Sequence, residues 1–96
     1  MIVVHVEAAV QADKRQEFVA EVEKDLQLSR AFSGCIEFGW SEDVTRPNTF
    51  ALYEEWESQE AFDTYRNSDH FKRLGGILFP LMAGTPKSVY YSAAKI

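Results

Sequence analysis

Hydrophobic and polar residues alternate along four stretches of the chain, a period that is typical of β-strands with two distinct faces. Three of the four stretches are rich in β-branched or aromatic residues, which favour strands. The alternation predicts strands at Ile2–Val10, Cys35–Asp43, Asn48–Trp56 and Ser88–Ala94.

A helical period connects the first two predicted strands. Between Ala12 and Arg30, Phe18, Val22 and Leu26 recur every four residues and predict an amphipathic helix. The charged residues of this segment, Asp25 among them, fall largely outside the apolar stripe, so we expect them to form a solvated face.

A second helical region follows the third strand. Ser58 is a suitable N-cap for a helix that reaches Arg66. The sequence Asn67-Ser68-Asp69 interrupts this helix and can cap another helical piece, which runs as far as Leu81. Glycines and Pro80 within that piece predict that it is segmented.

The order of these elements is strand, helix, strand, strand, helix, strand. This βαββαβ order predicts a single α+β domain over residues 1–96, a ferredoxin-like split βαβ with a four-stranded antiparallel sheet and helices on one face. The uncovered face carries apolar and aromatic residues, which a monomer of this size rarely exposes. We therefore expect a homodimer whose sheets face each other in a barrel, with open-face residues such as His5 lining its cavity.

The charge and composition of the chain exclude several classes of partner. The net charge is −5, which argues against nucleic acids and anionic membranes. The single cysteine excludes an intrachain disulfide and a cysteine-based metal cluster. No leader pattern and no apolar run of membrane-spanning length occur, so the expected location is the cytoplasm.

Glu54 is the unusual residue of the third strand, because it is a carboxylate between large apolar neighbours. If its face of the sheet is covered, this side chain needs a partner or a raised pKa. One interpretation is an exposed or structurally hydrogen-bonded group. The other is a polar group that lines a small cavity.

No strong catalytic motif is present. The chain has no glycine-rich phosphate loop, no HExxH, no GxSxG and no CxxC. His5 and His70 are too few and too far apart in sequence to indicate a metal site. Residue patterns alone therefore lead to a dimeric domain with an enclosed pocket, and no further.

The order and spacing of several short motifs resemble the antibiotic biosynthesis monooxygenase family. The resemblance covers nearly the whole chain and is carried by Gly34-Cys35-x-x-Phe38 and by Phe50-x-Leu52-x-Glu54-x-Trp56-x-Ser58-x-x-Ala61-x-x-x-Tyr65-x-x-Ser68-x-His70-Phe71. It implies the dimeric α+β barrel fold. It is less specific for the reaction, because members of the family include oxygenases, haem-degrading enzymes and an isomerase.

The resemblance implies a monooxygenase that needs no cofactor and acts on a small, electron-rich aromatic or quinol substrate. The candidate catalytic residues are His5, Glu54, Tyr65 and His70. The candidate substrate-binding residues are Tyr53, Trp56 and Phe71. Tyr65 departs from the histidine that is frequent at its position. Haem degradation is disfavoured, because Gly75 stands where that branch has its haem-ligating histidine.

Two alternatives remain open. An isomerase or lyase of a small metabolite would use His70 with Glu54 as acid and base, and a phosphorylated substrate would need cations such as Lys72, Arg73 or Lys87 in the pocket. A ligand-binding domain without turnover is the other alternative, which the departure at Tyr65 motivates.

Overall fold

A computed structural model describes all residues from 1 to 96. Its strands and helices are β1 (Ile2–Ala9), α1 (Arg15–Arg30), β2 (Cys35–Glu42), β3 (Thr49–Trp56), α2 (Gln59–Arg66), α3 (Asp69–Leu78) and β4 (Lys87–Ser92). The strands form one antiparallel sheet in the order β2-β3-β1-β4. The predicted α+β, ferredoxin-like architecture is therefore confirmed.

The helices cover only one face of the sheet. Val4 of β1 and Leu52 of β3 pack with Phe62 of α2 in one part of the core, while Ala8 packs with Phe18 of α1 in another. Alternate residues of the same strands point to the opposite face, where His5 and Tyr53 are exposed. We call this second surface the open face of the sheet.

Several element boundaries differ from the predicted ones. The first strand ends at Ala9, and Val10 forms only an isolated bridge with Met82. The predicted first helix begins as a 3₁₀ turn at Ala12–Lys14, so the α-helix itself starts at Arg15. The last strand ends two residues early, at Ser92.

Helix α3 is less segmented than its sequence predicts. It runs through both Gly75 and Gly76 without a break and ends at Leu78. Pro80, which cannot donate a backbone hydrogen bond, falls in the 3₁₀ turn Phe79–Leu81. The two glycines make helix formation less favourable by a modest free energy. Packing of the apolar face of α3 on the sheet stabilises the helix by more than this amount.

Two serine caps fix where the short helices begin: Ser58, as predicted, and Ser68, the middle residue of the predicted capping sequence Asn67-Ser68-Asp69. The side chain of Ser58 accepts a hydrogen bond from the backbone N–H of Ala61, and Ser68 accepts one from the N–H of Phe71. None of the helices combines the length and the apolar character that a membrane-spanning segment needs.

Candidate functional site

The largest cavity, about 450 Å³, lies between the helix-covered face of the sheet and helices α2 and α3. Residues paired across the four strands form its floor, in one row of Phe38, Glu54, Val4 and Tyr90 and a second row of Trp40, Leu52, Val6 and Ser88. The helices supply the opposite side with Phe62, Tyr65, Phe71, Leu74 and Leu78. All of these lining residues belong to one chain.

The largest cavity of the chain therefore lies on the helix-covered face, whereas the sequence led us to expect a cavity on the open face. His5 and Tyr53 are opposite each other on the open face, and neither lines the cavity. The Tyr53 hydroxyl donates instead to the carboxylate of Glu55. Both faces of β1 looked suitable for burial, but the face with Val4 is continuously apolar and packs under the helices, which leaves His5 outside.

Glu54 is buried on the floor of the cavity, with 3% of its surface exposed. Its Oε1 atom accepts a hydrogen bond of 2.8 Å from the indole N–H of Trp56. Burial raises the pKa of Glu54 to about 7, the Trp56 hydrogen bond opposes this rise, and the negative charge of Asp25 adds to it. The carboxyl group can therefore exchange a proton near neutral pH.

Trp56 does not line the cavity. It is fully buried, and its ring stacks on the ring of Tyr65 with a centroid distance of 4.9 Å. Its contact with the site runs through the hydrogen bond to Glu54. Trp56, which was predicted to bind substrate, thus lies in the core of this structure and orients the Glu54 carboxylate.

A buried polar network joins the three helices behind Tyr65. The Oγ atom of Ser29 lies 2.9 Å from the Tyr65 hydroxyl and donates to Asp25 at 2.8 Å. The Nε2 atom of His70 lies 2.6 Å from the second oxygen of Asp25. Asp25 and Ser29 come from α1, Tyr65 from α2 and His70 from α3.

The direction of these hydrogen bonds follows from the number of hydrogens available. Ser29 has one hydroxyl hydrogen and gives it to Asp25, so Tyr65 must donate to Ser29. His70 must carry a hydrogen on Nε2 to approach the Asp25 carboxylate. Burial also raises the pKa of Tyr65, so its hydroxyl keeps its proton and acts as a donor.

The structure thus brings together only part of the predicted site. Glu54, Tyr65 and Phe71 line the cavity. His70 faces a separate surface cleft between α1 and α3 and pairs with Asp25, not with Glu54. The acid–base pair predicted for an isomerase is therefore not formed as a direct contact.

Asp25 and Ser29 were missed by sequence reasoning. Asp25 was expected on a solvated face of α1, yet it is only 5% exposed, and Ser29 is completely buried. The available signal was their spacing of four residues beside Leu26, which places both at the edge of the apolar stripe. Their partners lie in distant segments, which the sequence pattern does not connect.

The cations expected near a phosphorylated substrate lie elsewhere. Lys72, Arg73 and Lys87 are exposed, and none of them lines the cavity. The cation that does line it is Arg66, beside Asn67 at the C-terminal end of α2. Sequence reasoning did not select Arg66, because a single basic residue near a helix end is common.

The fold and the cavity together define a ferredoxin-like α+β domain with a largely apolar cavity between its sheet and its helices. Residues 1–75 match the family model described as antibiotic biosynthesis monooxygenase. The chain belongs to this family, and the resemblance noted in its sequence is confirmed.

Two curated relatives share about a third of their matched residues with this chain. "Putative monooxygenase YcnE" of Bacillus subtilis is 33% identical over 72 residues, which are 75% of this chain and 76% of that protein. An uncharacterised protein of Synechocystis, sll1783, is 34% identical over 70 residues. That match covers 73% of this chain and 48% of the Synechocystis protein, so the chain spans about half of that relative's length.

Solved structures share the fold closely. A conserved protein from Methanosarcina mazei has a TM-score of 0.90 at 26% identity, covering 94% of this chain and 89% of that chain. A structure from Deinococcus radiodurans has a TM-score of 0.93 at 22% identity, covering 100% and 95% respectively. The second likeness is informative about the fold alone.

Proposed function

We propose that this protein is a cofactor-independent monooxygenase that oxidises a small aromatic substrate of the hydroquinone or anthrone type in the cavity above Glu54. The observation that carries the proposal is a buried carboxyl group with a pKa of about 7 on the floor of an apolar cavity. Membership of the monooxygenase family and the name given to the Bacillus subtilis relative support the same reaction class.

Glu54 would act as the general base. Its Oε1 atom is held by Trp56, and no other side chain is hydrogen-bonded to its carboxylate, which leaves Oε2 for a substrate. A base whose pKa lies near the working pH accepts a proton efficiently and can return it later. The cavity is largely apolar, so the substrate anion formed there would be poorly solvated and readily oxidised.

The reaction balances without an added reductant. The substrate anion transfers an electron to O₂, and the two radicals combine into a carbon–oxygen bond. Glu54 returns its proton to the outer peroxide oxygen. For an anthrone, loss of the second hydrogen from the same carbon then breaks the O–O bond and yields the quinone and water, with all four electrons drawn from that carbon.

Oxygen uptake with a panel of hydroquinones and anthrones in metal-free buffer tests the proposal. We expect uptake by the wild type that declines as the pH falls below about 7, because Glu54 becomes protonated. Glu54→Gln should lower kcat by about 100-fold or more, the usual contribution of a general base. Glu57→Gln, which changes an exposed carboxylate nearby, should leave the rate unchanged.

Two results would contradict the proposal. One is a wild type that oxidises no member of the panel, while a bound aromatic compound is recovered unchanged, which would favour a ligand-binding domain. The other is a Glu54→Gln variant with wild-type kcat, which would remove the base from the mechanism. The isomerase alternative gains no support, because His70 pairs with Asp25 and the predicted phosphate-binding cations lie outside the cavity.

A further inference from the structure

Arg66 lies where the cavity meets the protein surface. Phe62, Arg66 and Tyr90 line the main cavity and also line an adjacent surface depression. The rings of Phe62 and Tyr90 are 5.7 Å apart at this mouth. Arg66 is the only cationic side chain among the residues that line the cavity, and Glu54 is the only carboxylate.

The guanidinium of Arg66 is held in place but keeps most of its donors free. One nitrogen lies 2.9 Å from the Asp63 carboxylate, and the group sits over the Phe62 ring at 5.1 Å. A guanidinium has five N–H donors, and no other side chain or carbonyl of this protein accepts one from Arg66. The Asn67 side chain beside it also lines the cavity and has no hydrogen-bond partner within the chain.

The sheet sets the separation between Tyr90, which lies at this mouth, and Glu54. Tyr90 and Glu54 belong to the same row of paired residues, with Val4 of the intervening strand between them. Two strand spacings correspond to roughly 10 Å. A fused two-ring compound with polar groups at its opposite ends matches this distance.

We infer that Arg66, assisted by Asn67, binds a carboxylate carried by the substrate, so that the substrate class is an aromatic hydroxy acid whose hydroxyl group reaches Glu54. The inference rests on the proposed function, because it names the substrate of the same cavity. A planar carboxylate suits a single guanidinium, whose parallel N–H donors can bind both of its oxygens. A phosphate group, with its higher charge, normally gathers more cations than this mouth offers.

Binding of two related naphthalene compounds tests the inference. 6-Hydroxy-2-naphthoic acid carries a hydroxyl group and a carboxylate at opposite ends, and 2-naphthol lacks the carboxylate. We expect the wild type to bind the acid more tightly. Arg66→Gln should weaken binding of the acid by roughly tenfold or more, as expected for loss of a charge-assisted contact, and leave 2-naphthol unaffected.

Two further variants separate a local contact from a general effect of charge. Arg73→Gln removes the same charge from an exposed position outside the cavity and should keep the wild-type preference. Arg66→Lys keeps the positive charge but loses the planar pair of N–H donors. Its preference for the acid over 2-naphthol should therefore lie between those of the wild type and Arg66→Gln. A melting curve for each variant verifies that it is folded, and the side chain of Arg66 is 44% exposed, so its replacement is tolerable.

The outcomes distinguish this inference from the proposed function. Preference for the acid that disappears only in Arg66→Gln supports the inference, even if no quinol is oxidised. The inference would be overturned if Arg66→Gln and Arg73→Gln lost affinity for the acid equally. It would also be overturned if the wild type bound 2-naphthol as tightly as the acid. Both results would count even if neutral quinols are oxidised. Binding of neither compound overturns it as well.

Discussion

At the scale of single residues, Glu54 makes the stability of the fold depend on pH between about 4.5 and 7. Burial raises its folded-state pKa to about 7, while its ordinary value is 4.5. Between these values the folded state holds more protons than the unfolded state. Glu54 therefore favours folding fully below pH 4.5, and its contribution is lost as the pH rises through about 7.

Glu54→Gln should remove this dependence. Relative to the wild type, the variant should gain up to about 3 kcal/mol in unfolding free energy between pH 4.5 and pH 8, because glutamine cannot ionise. Denaturant unfolding of both proteins across this pH range measures the difference. Profiles that remain parallel would show that the pKa of Glu54 is the same in the folded and unfolded states, which would contradict the raised pKa.

The sequence predicts some of these residues better than others, for physical reasons. Glu54 could be recognised because it interrupts an apolar face of one strand, a local pattern. Asp25 could not, because its burial depends on Tyr65 and His70, which approach it only in the folded chain. The position of His5 on the open face could not be predicted, because both faces of β1 carry apolar residues and alternation alone does not say which face the helices cover.

At the scale of elements, the pair formed by Asp25 and His70 connects α1 to α3, one of the helices that cover the cavity. The Asp25 side chain is only 4% exposed, so its charge has little access to water. A buried carboxylate without its partner is costly, which makes this contact more important than an ion pair on the surface.

A double-mutant cycle on this pair should show strong coupling. His70→Ala is expected to lower the unfolding free energy by about 3 kcal/mol, because the buried Asp25 carboxylate keeps only the hydrogen bond from Ser29. The coupling with Asp25→Ala should be about 1–3 kcal/mol, since the residues are in direct contact. Urea unfolding of the two single variants and the double variant measures both quantities.

The exposed pair of Asp63 and Arg66 is a matched control for this cycle. Its side chains are 40% and 44% exposed, so its coupling should stay below about 1 kcal/mol. If the effects of the His70 and Asp25 substitutions simply add, the pair does not stabilise the contact between α1 and α3.

The elements themselves were largely predictable because their signals are local. Alternation identified the four strands, and Ser58 and Ser68 identified the helix starts as the structure has them. The continuity of α3 was not predictable from its glycines. Packing of its apolar face on the sheet and on α1 outweighs their low helical propensity, and that packing is a tertiary effect.

At the scale of the whole molecule, the open face of the sheet is notable because it exposes several large apolar side chains to solvent. Tyr53, Val89 and Tyr91 are exposed there by 43%, 44% and 54%. Aromatic and aliphatic side chains grouped on one surface are typical of an interface. We propose that a second copy of the chain covers this face by two-fold symmetry, burying roughly the 2,000 Å² that obligate homodimers bury.

Light scattering at micromolar concentration should therefore give twice the chain mass of 11.0 kDa, and the melting temperature should rise with protein concentration. Val89→Lys should weaken association, because it places a charge on the open face. Leu28→Lys, at an exposed position on α1, should not. A folded particle of single-chain mass would contradict the dimer, although the cavity would remain, since one chain forms it.

Because side chains alternate between the two faces of the sheet, substitutions at neighbouring positions of one strand affect different surfaces. On β1 and β3 the even-numbered residues face the helices, and the odd-numbered residues face the open side. A mutation at Leu52 can therefore change the shape of the cavity, while a mutation at the adjacent Tyr53 changes only the open face. Mutagenesis of the cavity can thus be confined to alternate codons of these strands, with the open face left unchanged.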